Sequence, residues 1–282
     1  MKVKVMKFIL PLLLAFLIAP LLLVSIVAYG LFEAQWLETK KVEFRSPDIP
    51  PSFEGIKIAF LTDIHCDRRF SGKKLAQFVR RVNDLKADLI LTGGDYVSGR
   101  KYAIGCFQEL KNLKAPMGVF GVLGGHDHWA GVEFVKKEME KAGITLLDNY
   151  SLWIKKGTGR IKLGGVGDLW EDKQDLNPTL QSAQDKDFVV LVSHNPDYVE
   201  KIKRHGLDLV LCGHTHGGQV TLFGLWAPFI PSAYGIKYRS GCVRTDCGTV
   251  YISNGVGTVG YPFRLFARPQ ILLITLRRSS SE

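Results

Sequence analysis

Five short apolar segments of this 282-residue chain each run directly into a cluster of residues that can bind metal ions. Amphipathic stretches, such as residues 73–85, lie between the first few of these apolar segments. This alternation predicts parallel strands joined by helices. Ligand sites in open α/β sheets lie beyond the carboxyl ends of the strands, so we expect the clusters to converge on one site. The clusters are Asp63-Ile64-His65, Gly93-Gly94-Asp95, Gly124-Gly125-His126-Asp127, Ser193-His194-Asn195 and Gly213-His214-Thr215-His216.

The pattern along the rest of the chain predicts a second sheet. Antiparallel strands are expected from residue 151, around a glycine-rich turn. They are expected again in the final third, residues 219–276, which is rich in glycine and aromatic residues. βαβ units combined with antiparallel strands indicate an α/β fold of two packed sheets covered by helices. Strands are predicted at residues 56–62, 87–95, 117–125 and 187–194, and helices at residues 73–85, 102–113, 130–142 and 197–205.

The amino-terminal residues 1–34 are predicted as a membrane anchor. Residues 8–32 carry no charge, and Lys2, Lys4 and Lys7 precede them. As a helix, this segment is roughly 37 Å long at about 1.5 Å per residue, which exceeds the ~30 Å hydrocarbon core. A cleaved signal peptide is the alternative, although its apolar region usually covers only about 7 to 15 residues. Lysines before the span favour a cell-membrane protein whose body is extracytoplasmic.

The remaining chain suits a single domain, because one hydrophobic core stops growing at about 250 to 300 residues. Residues 35–54, which contain three prolines, are predicted as a linker and first strand, and residues 55–278 as the domain. The net charge of +10 favours anionic partners such as phosphate esters or acidic lipids. Lysine and arginine are scattered, so specific nucleic-acid binding is not expected. The pattern leaves the oligomeric state open.

The five cysteines include no CxxC pair, which argues against a zinc ribbon. Cys242 and Cys247 are the only close pair. They either form a disulfide or are two small, unbonded side chains near a strand turn.

The spacing within the clusters favours metal binding. His65 lies two positions after Asp63, and His216 two positions after His214, which places each pair on one side of an extended strand. A single Asp-x-His or His-x-His more often serves hydrogen bonding, so the conjunction of five clusters carries the inference. Glycines within the clusters allow tight turns beside the metals.

This ordered set resembles the calcineurin-like metallophosphoesterase superfamily, whose pattern is DxH, GD, GNH(D/E), H and GHxH. The resemblance covers about residues 56–276, and the VSHNPD and CGHTHGGQ stretches are similar to its YkuE/YaeI-like branch. It implies a four-layer α/β/β/α sandwich of two mixed sheets and a metal-dependent hydrolase of phosphoric ester or anhydride bonds.

The resemblance also implies roles for the site residues. Two divalent ions (Mn, Fe or Zn) would be the cofactors, with a bridging hydroxide as the nucleophile. His126 would be the general acid or a phosphate-stabilising imidazole, oriented by Asp127. The first metal would be bound by Asp63, His65, Asp95 and His216, and the second by the shared Asp95 with His194 and His214.

Gly125 departs from the family pattern, which has asparagine at this position. The amide oxygen expected on the second metal is therefore missing, although Asp95, His194 and His214 still provide three ligands. We expect a weaker second site. A weakly active or non-catalytic binding protein is the alternative. Asp168 and Asn195 are candidates to support the ligands, whereas His128 and His205 have no assigned role.

The expected substrate is a phosphodiester, pyrophosphate or phosphomonoester that is lipid-linked or belongs to the cell envelope. UDP-2,3-diacylglucosamine is one candidate that the family resemblance supplies. A nuclease or nucleotide phosphodiesterase is the rival interpretation. Apolar and aromatic residues between 222 and 238 either form a lipid-accepting edge beside the site or pack within sheets and loops.

Overall fold

The computed structural model describes residues 2–203 and 205–280, with side chains from residue 16 onward. Two six-stranded sheets form the body of the protein. The helices are α1 (Lys2–Glu33), α2 (Lys73–Asp84), α3 (Ala103–Leu110), α4 (Gly125–Trp129), α5 (Val132–Lys141) and α6 (Asn177–Leu180). The strands are β1 (Glu38–Ser46), β2 (Lys57–Leu61), β3 (Leu89–Thr92), β4 (Val119–Gly121), β5 (Ile144–Leu146), β6 (Tyr150–Lys156), β7 (Gly159–Gly165), β8 (Val189–Val192), β9 (Leu209–Cys212), β10 (Gly241–Thr245), β11 (Gly248–Ile252) and β12 (Gln270–Arg278).

The first sheet has the strand order β1-β12-β2-β3-β4-β5. Strands β2 to β5 are parallel, β12 is antiparallel to β2, and β1 is parallel to β12. The register of β1 runs from Glu38 opposite Gln270 to Ser46 opposite Arg278. β1 lies within residues 35–54, the segment that was predicted to contain a linker and the first strand. The carboxyl ends of β2, β3 and β4 lie at one edge.

The second sheet has the order β10-β11-β9-β8-β7-β6. Strands β7, β8, β9 and β11 are parallel, and antiparallel β6 and β10 close the two edges. The expected antiparallel pairing in the final third is found between β10 and β11. β12 also pairs antiparallel, with β2, but it belongs to the first sheet and not to the second. Six of the nine residues of β12 are buried, and such a strand needs neighbours on both sides and cover on both faces.

Three apolar cores separate the layers. Side chains from both sheets, including Phe60, Leu91 and Leu211, fill the space between them. Helices α2, α3 and α5 cover the outer face of the first sheet. Helix α6 and short 3-10 segments cover the second. The predicted α/β fold of two mixed sheets is confirmed. Apolar spacing also predicted the buried face of α2, where Leu75, Phe78, Val79 and Val82 lie.

Helix α1 contacts the body near its carboxyl end. The buried Glu33 carboxylate accepts the backbone N–H groups of Phe266 and Ala267 at 2.9 and 2.7 Å. Residues 8–15 of the predicted membrane span lie outside the residues whose side chains are described. Among the residues that are described, no helix combines the length and apolarity that a bilayer crossing requires. The predicted transmembrane helix is therefore not supported.

The cysteines follow one of the two alternatives left open. Cys242 is exposed, Cys247 is buried, and neither is bonded, so the pair consists of free side chains beside the β10–β11 turn. A disulfide joins Cys66 to Cys106 instead, which links the loop after β2 to helix α3. The spacing of these two residues gave no sign of this bond.

Candidate metal centre

The five predicted clusters meet where the two sheets place the carboxyl ends of β2, β3, β4, β8 and β9 side by side. Asp95, which follows β3, lies at the middle of the group. Its Oδ2 atom is 3.5 Å from His65 Nε2 on one side and 3.4 Å from His194 Nε2 on the other. One carboxylate oxygen therefore faces two separate sets of ligands, which we call the first half and the second half of the centre.

The first half contains Asp63, His65 and His216, which are all buried. His216 Nε2 is 3.1 Å from His65 Nε2 and 3.4 Å from Asp63 Oδ1. Burial lowers the pKa of His65 to about 4 and that of His216 well below its usual value, so both rings are neutral at pH 7. Two neutral imidazoles and a carboxylate at this separation form a donor set that suits a divalent transition metal.

The second half contains His194 and His214. The Nε2 atom of His194 is 3.2 Å from His214 Nδ1. His194 Nδ1 lies 2.7 Å from the Gly93 carbonyl oxygen, which can only accept a hydrogen bond. The ring therefore donates from Nδ1 and leaves Nε2 free for a metal, an arrangement common among metal-binding histidines. The donor set fits a second divalent ion.

The pKa values of Asp63 and Asp95, the two carboxylates of the centre, are shifted in opposite directions. Burial raises the pKa of Asp63 to about 6, and the negative charge of Asp95 contributes. Burial acts in the same direction on Asp95, but attraction to His194 and His65 outweighs it and holds the pKa of Asp95 well below its usual value. The same attraction outweighs burial at His194 and raises the pKa of its ring well above normal. A positive charge beside Asp95, whether a proton or a metal, is therefore favoured.

The backbone of the ligand loops differs from the expectation. Asp63, His65, Asp95, His214 and His216 all have positive φ, between 48° and 68°. Strands β2 and β9 end before these residues, so the argument from extended strands is wrong, although each pair still reaches the centre. Left-handed conformations are uncommon for residues other than glycine and concentrate at functional sites.

Two glycines allow the loops to approach one another. A Cβ atom at Gly213 would lie 2.3 Å from Asp63 Oδ2, and one at Gly124 would lie 2.3 Å from Asp95 Oδ1. Any side chain at either position would therefore displace a ligand carboxylate.

The sequence profile of the calcineurin-like phosphoesterase family matches residues 56–218 of this chain. The chain belongs to the calcineurin-like phosphoesterase family. It is a metal-dependent hydrolase of phosphoric esters, and the family implies divalent metal ions as cofactors. The predicted resemblance is confirmed.

Relatives of this metallophosphoesterase are similar over most of its length. The YkuE metallophosphoesterase of Bacillus subtilis is 30% identical over 253 residues, 88% of each chain. The phosphodiesterase YaeI of Escherichia coli is 32% identical over 225 residues, which cover 78% of this chain and 82% of YaeI. A Danio rerio protein named a transmembrane protein with metallophosphoesterase domain is 27% identical over 279 residues, 92% of this chain and 62% of that protein.

His126 and Asp127 of this metallophosphoesterase lie in different surroundings. The partly buried His126 ring packs edge-on against the His65 ring, with centroids 4.7 Å apart. The Asp127 carboxylate is fully buried and accepts the backbone N–H groups of Tyr96 and Gly124. Burial and the nearby Asp95 raise the pKa of Asp127 well above its usual value. Asp127 therefore joins the loops after β3 and β4, and the His126 ring is not among its described hydrogen-bond partners.

A cavity of about 290 Å³ opens over the centre. Asp95, His126 and His214 lie on its floor, and no lysine or arginine occurs among its described lining residues. The side chains that form its apolar walls are those of Trp129, Trp170, Phe229, Pro231 and Val259.

Asp168 and Asn195, which were candidates to support the metal ligands, have separate roles. Asn195 accepts the backbone N–H of Asp197 and begins a 3-10 segment, Pro196–Lys201, in place of the predicted helix. Asp168 is buried and accepts the backbone N–H groups of Trp170 and Glu171. His205 lies in an exposed loop, where its Nδ1 is 3.0 Å from the Asp246 carbonyl oxygen. Its predicted place at a helix end was wrong.

His128 lies outside the centre. Its ring and the carboxylates of Asp148 and Asp172 place ligand atoms within 4.8 Å of one another. Asp172 is exposed, whereas burial raises the pKa of Asp148 to about 7.

Arg264 is a residue that the sequence reasoning missed. It is fully buried and donates to the carbonyl oxygens of His216, Asn254 and Ala267 at 3.1, 2.8 and 2.8 Å. It therefore holds the backbone that carries His216. No local motif signals it, because its contact with the His216 carbonyl oxygen joins residues that are 48 positions apart.

Proposed function

We propose that this metallophosphoesterase hydrolyses phosphodiesters at a dinuclear metal centre bridged by Asp95. The supporting observation is the Asp95 Oδ2 atom, which lies within 3.5 Å of one histidine from each half. Asp63, His65 and His216 would complete the first site, and His194 and His214 the second. Two divalent ions held there would supply a hydroxide nucleophile and neutralise charge that develops on the phosphoryl oxygens.

His126 would act as the general acid. Its ring lines the cavity, and its backbone N–H donates to Asp95 Oδ1 at 2.9 Å, which fixes the start of α4 against the bridging carboxylate. A proton held on this ring can pass to the leaving alkoxide oxygen. General acids at this kind of step contribute about 10²- to 10⁴-fold in rate.

A diester with apolar substituents suits the cavity. A diester phosphate carries one negative charge, whereas monoesters and nucleotide polyphosphates carry more and need further cations. The cavity offers tryptophan and phenylalanine side chains and no cationic side chain among its described lining residues. The similar protein YaeI is named a phosphodiesterase, which agrees with this preference.

A lipid-linked diester is the substrate that the surface around the cavity favours. Leu222, Phe223, Leu225, Trp226 and Phe229 are 57–76% exposed, whereas Ala227 and Tyr238 of the same stretch are buried. Phe229 also lines the cavity, so apolar surface is continuous with the site. Contiguous exposed apolar residues commonly mark interaction sites. Residues 219–240 contain no acidic residue that would repel an anionic lipid.

Hydrolysis assays test the proposal. With Mn²⁺, Zn²⁺ or Fe²⁺ added, we expect faster hydrolysis of bis(p-nitrophenyl) phosphate than of p-nitrophenyl phosphate. We also expect faster hydrolysis of a short-chain phospholipid diester than of a dinucleotide or of UDP-2,3-diacylglucosamine. No turnover of any diester with any metal contradicts the enzymatic proposal. Preference for the dinucleotide favours the nucleotide phosphodiesterase instead. The extracytoplasmic location of the domain stays a prediction.

A further inference from the structure

Gly125, where the family pattern has asparagine, lies beside the side chains of Asp168 and Glu171, which belong to another loop. A Cβ atom at Gly125 would have Glu171 Cγ at 3.8 Å and Asp168 Oδ1 at 4.0 Å as its nearest neighbours. These distances are ordinary van der Waals contacts, so Gly125 is not required for space. The side chain missing at Gly125 therefore leaves room beside the second half of the centre, and Glu171 borders that room.

Two contacts fix the loop of residues 168–171 over the second half, and Asp168 holds the loop's own backbone. The Trp170 ring packs edge-on against the His214 ring, with centroids 4.5 Å apart. Trp129 Nε1 donates to Glu171 Oε1 at 2.9 Å. The buried Asp168 Oδ1 accepts the backbone N–H groups of Trp170 and Glu171 at 2.9 and 3.0 Å. The loop is therefore held both by α4 and by a residue of the metal centre.

The Glu171 side chain and an asparagine at position 125 would place an oxygen atom equally far beyond two carbon atoms that lie in contact. An asparagine amide oxygen lies two bonds beyond Cβ, and a glutamate carboxylate oxygen lies two bonds beyond Cγ. Because Glu171 Cγ touches the place of the absent Cβ, a carboxylate oxygen of Glu171 can enter the region that the amide oxygen would occupy. Trp129 engages only Oε1, and Oε2 has no hydrogen-bond partner among the described residues.

We propose that Glu171 supplies the oxygen ligand of the second metal that asparagine supplies in the family pattern. Asp168 and Trp129 are positioning residues that hold Glu171 toward the centre. The inference rests on the proposed dinuclear centre, and it replaces the expectation that Gly125 weakens the second site. An anionic oxygen ligand also suits Mn²⁺, which prefers carboxylates.

Titration of the full-length, metal-free protein with Mn²⁺ tests this assignment without any need for turnover. Calorimetry gives the two dissociation constants, and electron paramagnetic resonance detects the exchange-coupled Mn²⁺ pair. We expect Glu171→Ala to raise the second Kd at least tenfold and to leave the first within about threefold. Glu171→Gln, which keeps an oxygen, should fall between. Glu140→Ala removes an exposed carboxylate of α5 and should bind two ions like the wild type.

A rescue variant separates ligation from loop structure. Gly125→Asn combined with Glu171→Ala should bring the second Kd back to within about threefold of the wild type and restore the coupled signal. An unchanged second Kd in Glu171→Ala overturns the assignment. So does a raised Kd that Gly125→Asn does not reverse, because Glu171 would then act only on the loop. A wild type that binds two ions but hydrolyses no diester contradicts the proposed function and leaves Glu171 as a ligand.

Discussion

The two halves of the centre are built in different ways. Asp63, His65 and His216 of the first half are buried, and the buried Arg264 holds the backbone of His216 from behind. In the second half His214 is partly exposed and faces the cavity, and the exposed Glu171 approaches from a separate loop. The first half therefore depends on an intact core, whereas in our proposal the second half takes a ligand from a neighbouring loop.

Asp95 is the residue on which both halves depend, and its removal should have the largest effect. Asp95→Asn keeps the size of the side chain but removes the charge between His65 and His194. We expect kcat/KM for bis(p-nitrophenyl) phosphate to fall about 10³-fold or more, equivalent to about 4 kcal/mol of transition-state stabilisation. Mn²⁺ content measured on the same sample should fall below two ions. Retention of both ions and full activity would show that the halves do not share Asp95.

Replacement of His126 should slow the chemical step without removing a metal ion from either half. His126→Ala is expected to lower kcat about 10²-fold or more for a diester with a poor leaving group, because the leaving oxygen needs a proton. The loss should be much smaller for p-nitrophenolate, which leaves without one. Rates for the two leaving groups, with metal content as control, measure the difference. An equal loss for both would exclude a role as general acid.

The pH dependence of metal binding should differ between the halves. Burial raises the pKa of Asp63 to about 6, so a metal that binds the first site must displace a proton from Asp63 only below about pH 6. His65, with a pKa of about 4, stays neutral above that pH. Affinity there should fall about tenfold between pH 7 and pH 5. His194 has a pKa well above normal, so the second site must displace a proton across this range and should lose about 100-fold. Mn²⁺ titrations at three pH values check both slopes, and equal slopes would remove the distinction.

Stability should depend on the first half more than on the second. Arg264→Met removes the donor from the carbonyl oxygens of His216, Asn254, Gly257 and Ala267, and each loss at a buried group costs about 1 to 3 kcal/mol. We expect the free energy of unfolding to fall by about 3 kcal/mol or more in urea titrations. Glu171→Ala, at an exposed position, should change it by no more than about 0.5 kcal/mol. Arg160→Met, at an exposed position of β7, is the control for loss of an arginine. A loss of stability equal to that of Arg264→Met would mean that the burial of Arg264 adds nothing.

The sequence predicted much of this centre and missed what depends on distant contacts. Apolar runs and helical periodicity located β2, β3 and α2, and the five clusters gathered the six predicted ligands at one edge. The pattern could not show the left-handed backbone of Asp63 and His214, because a spacing of two residues suits an extended strand equally well. Nor could it place Glu171 or Arg264, since their roles arise only when separate loops pack together.

The same limit applies to the periphery. Strand β12 was predicted in the wrong sheet because an apolar run shows burial but not its neighbours. The exposure of Phe223 and Trp226 was left open, since the same residues could equally have packed inside. The apolar amino-terminal segment predicted a membrane span that the described residues do not support.

Anomalous diffraction from crystals grown with Mn²⁺ tests the central claim most directly. We predict two peaks about 3.5 to 4 Å apart, with Asp95 between them and the Glu171 carboxylate beside the peak near His194 and His214. A single peak, or two peaks that Asp95 does not bridge, would contradict the account of a shared dinuclear centre.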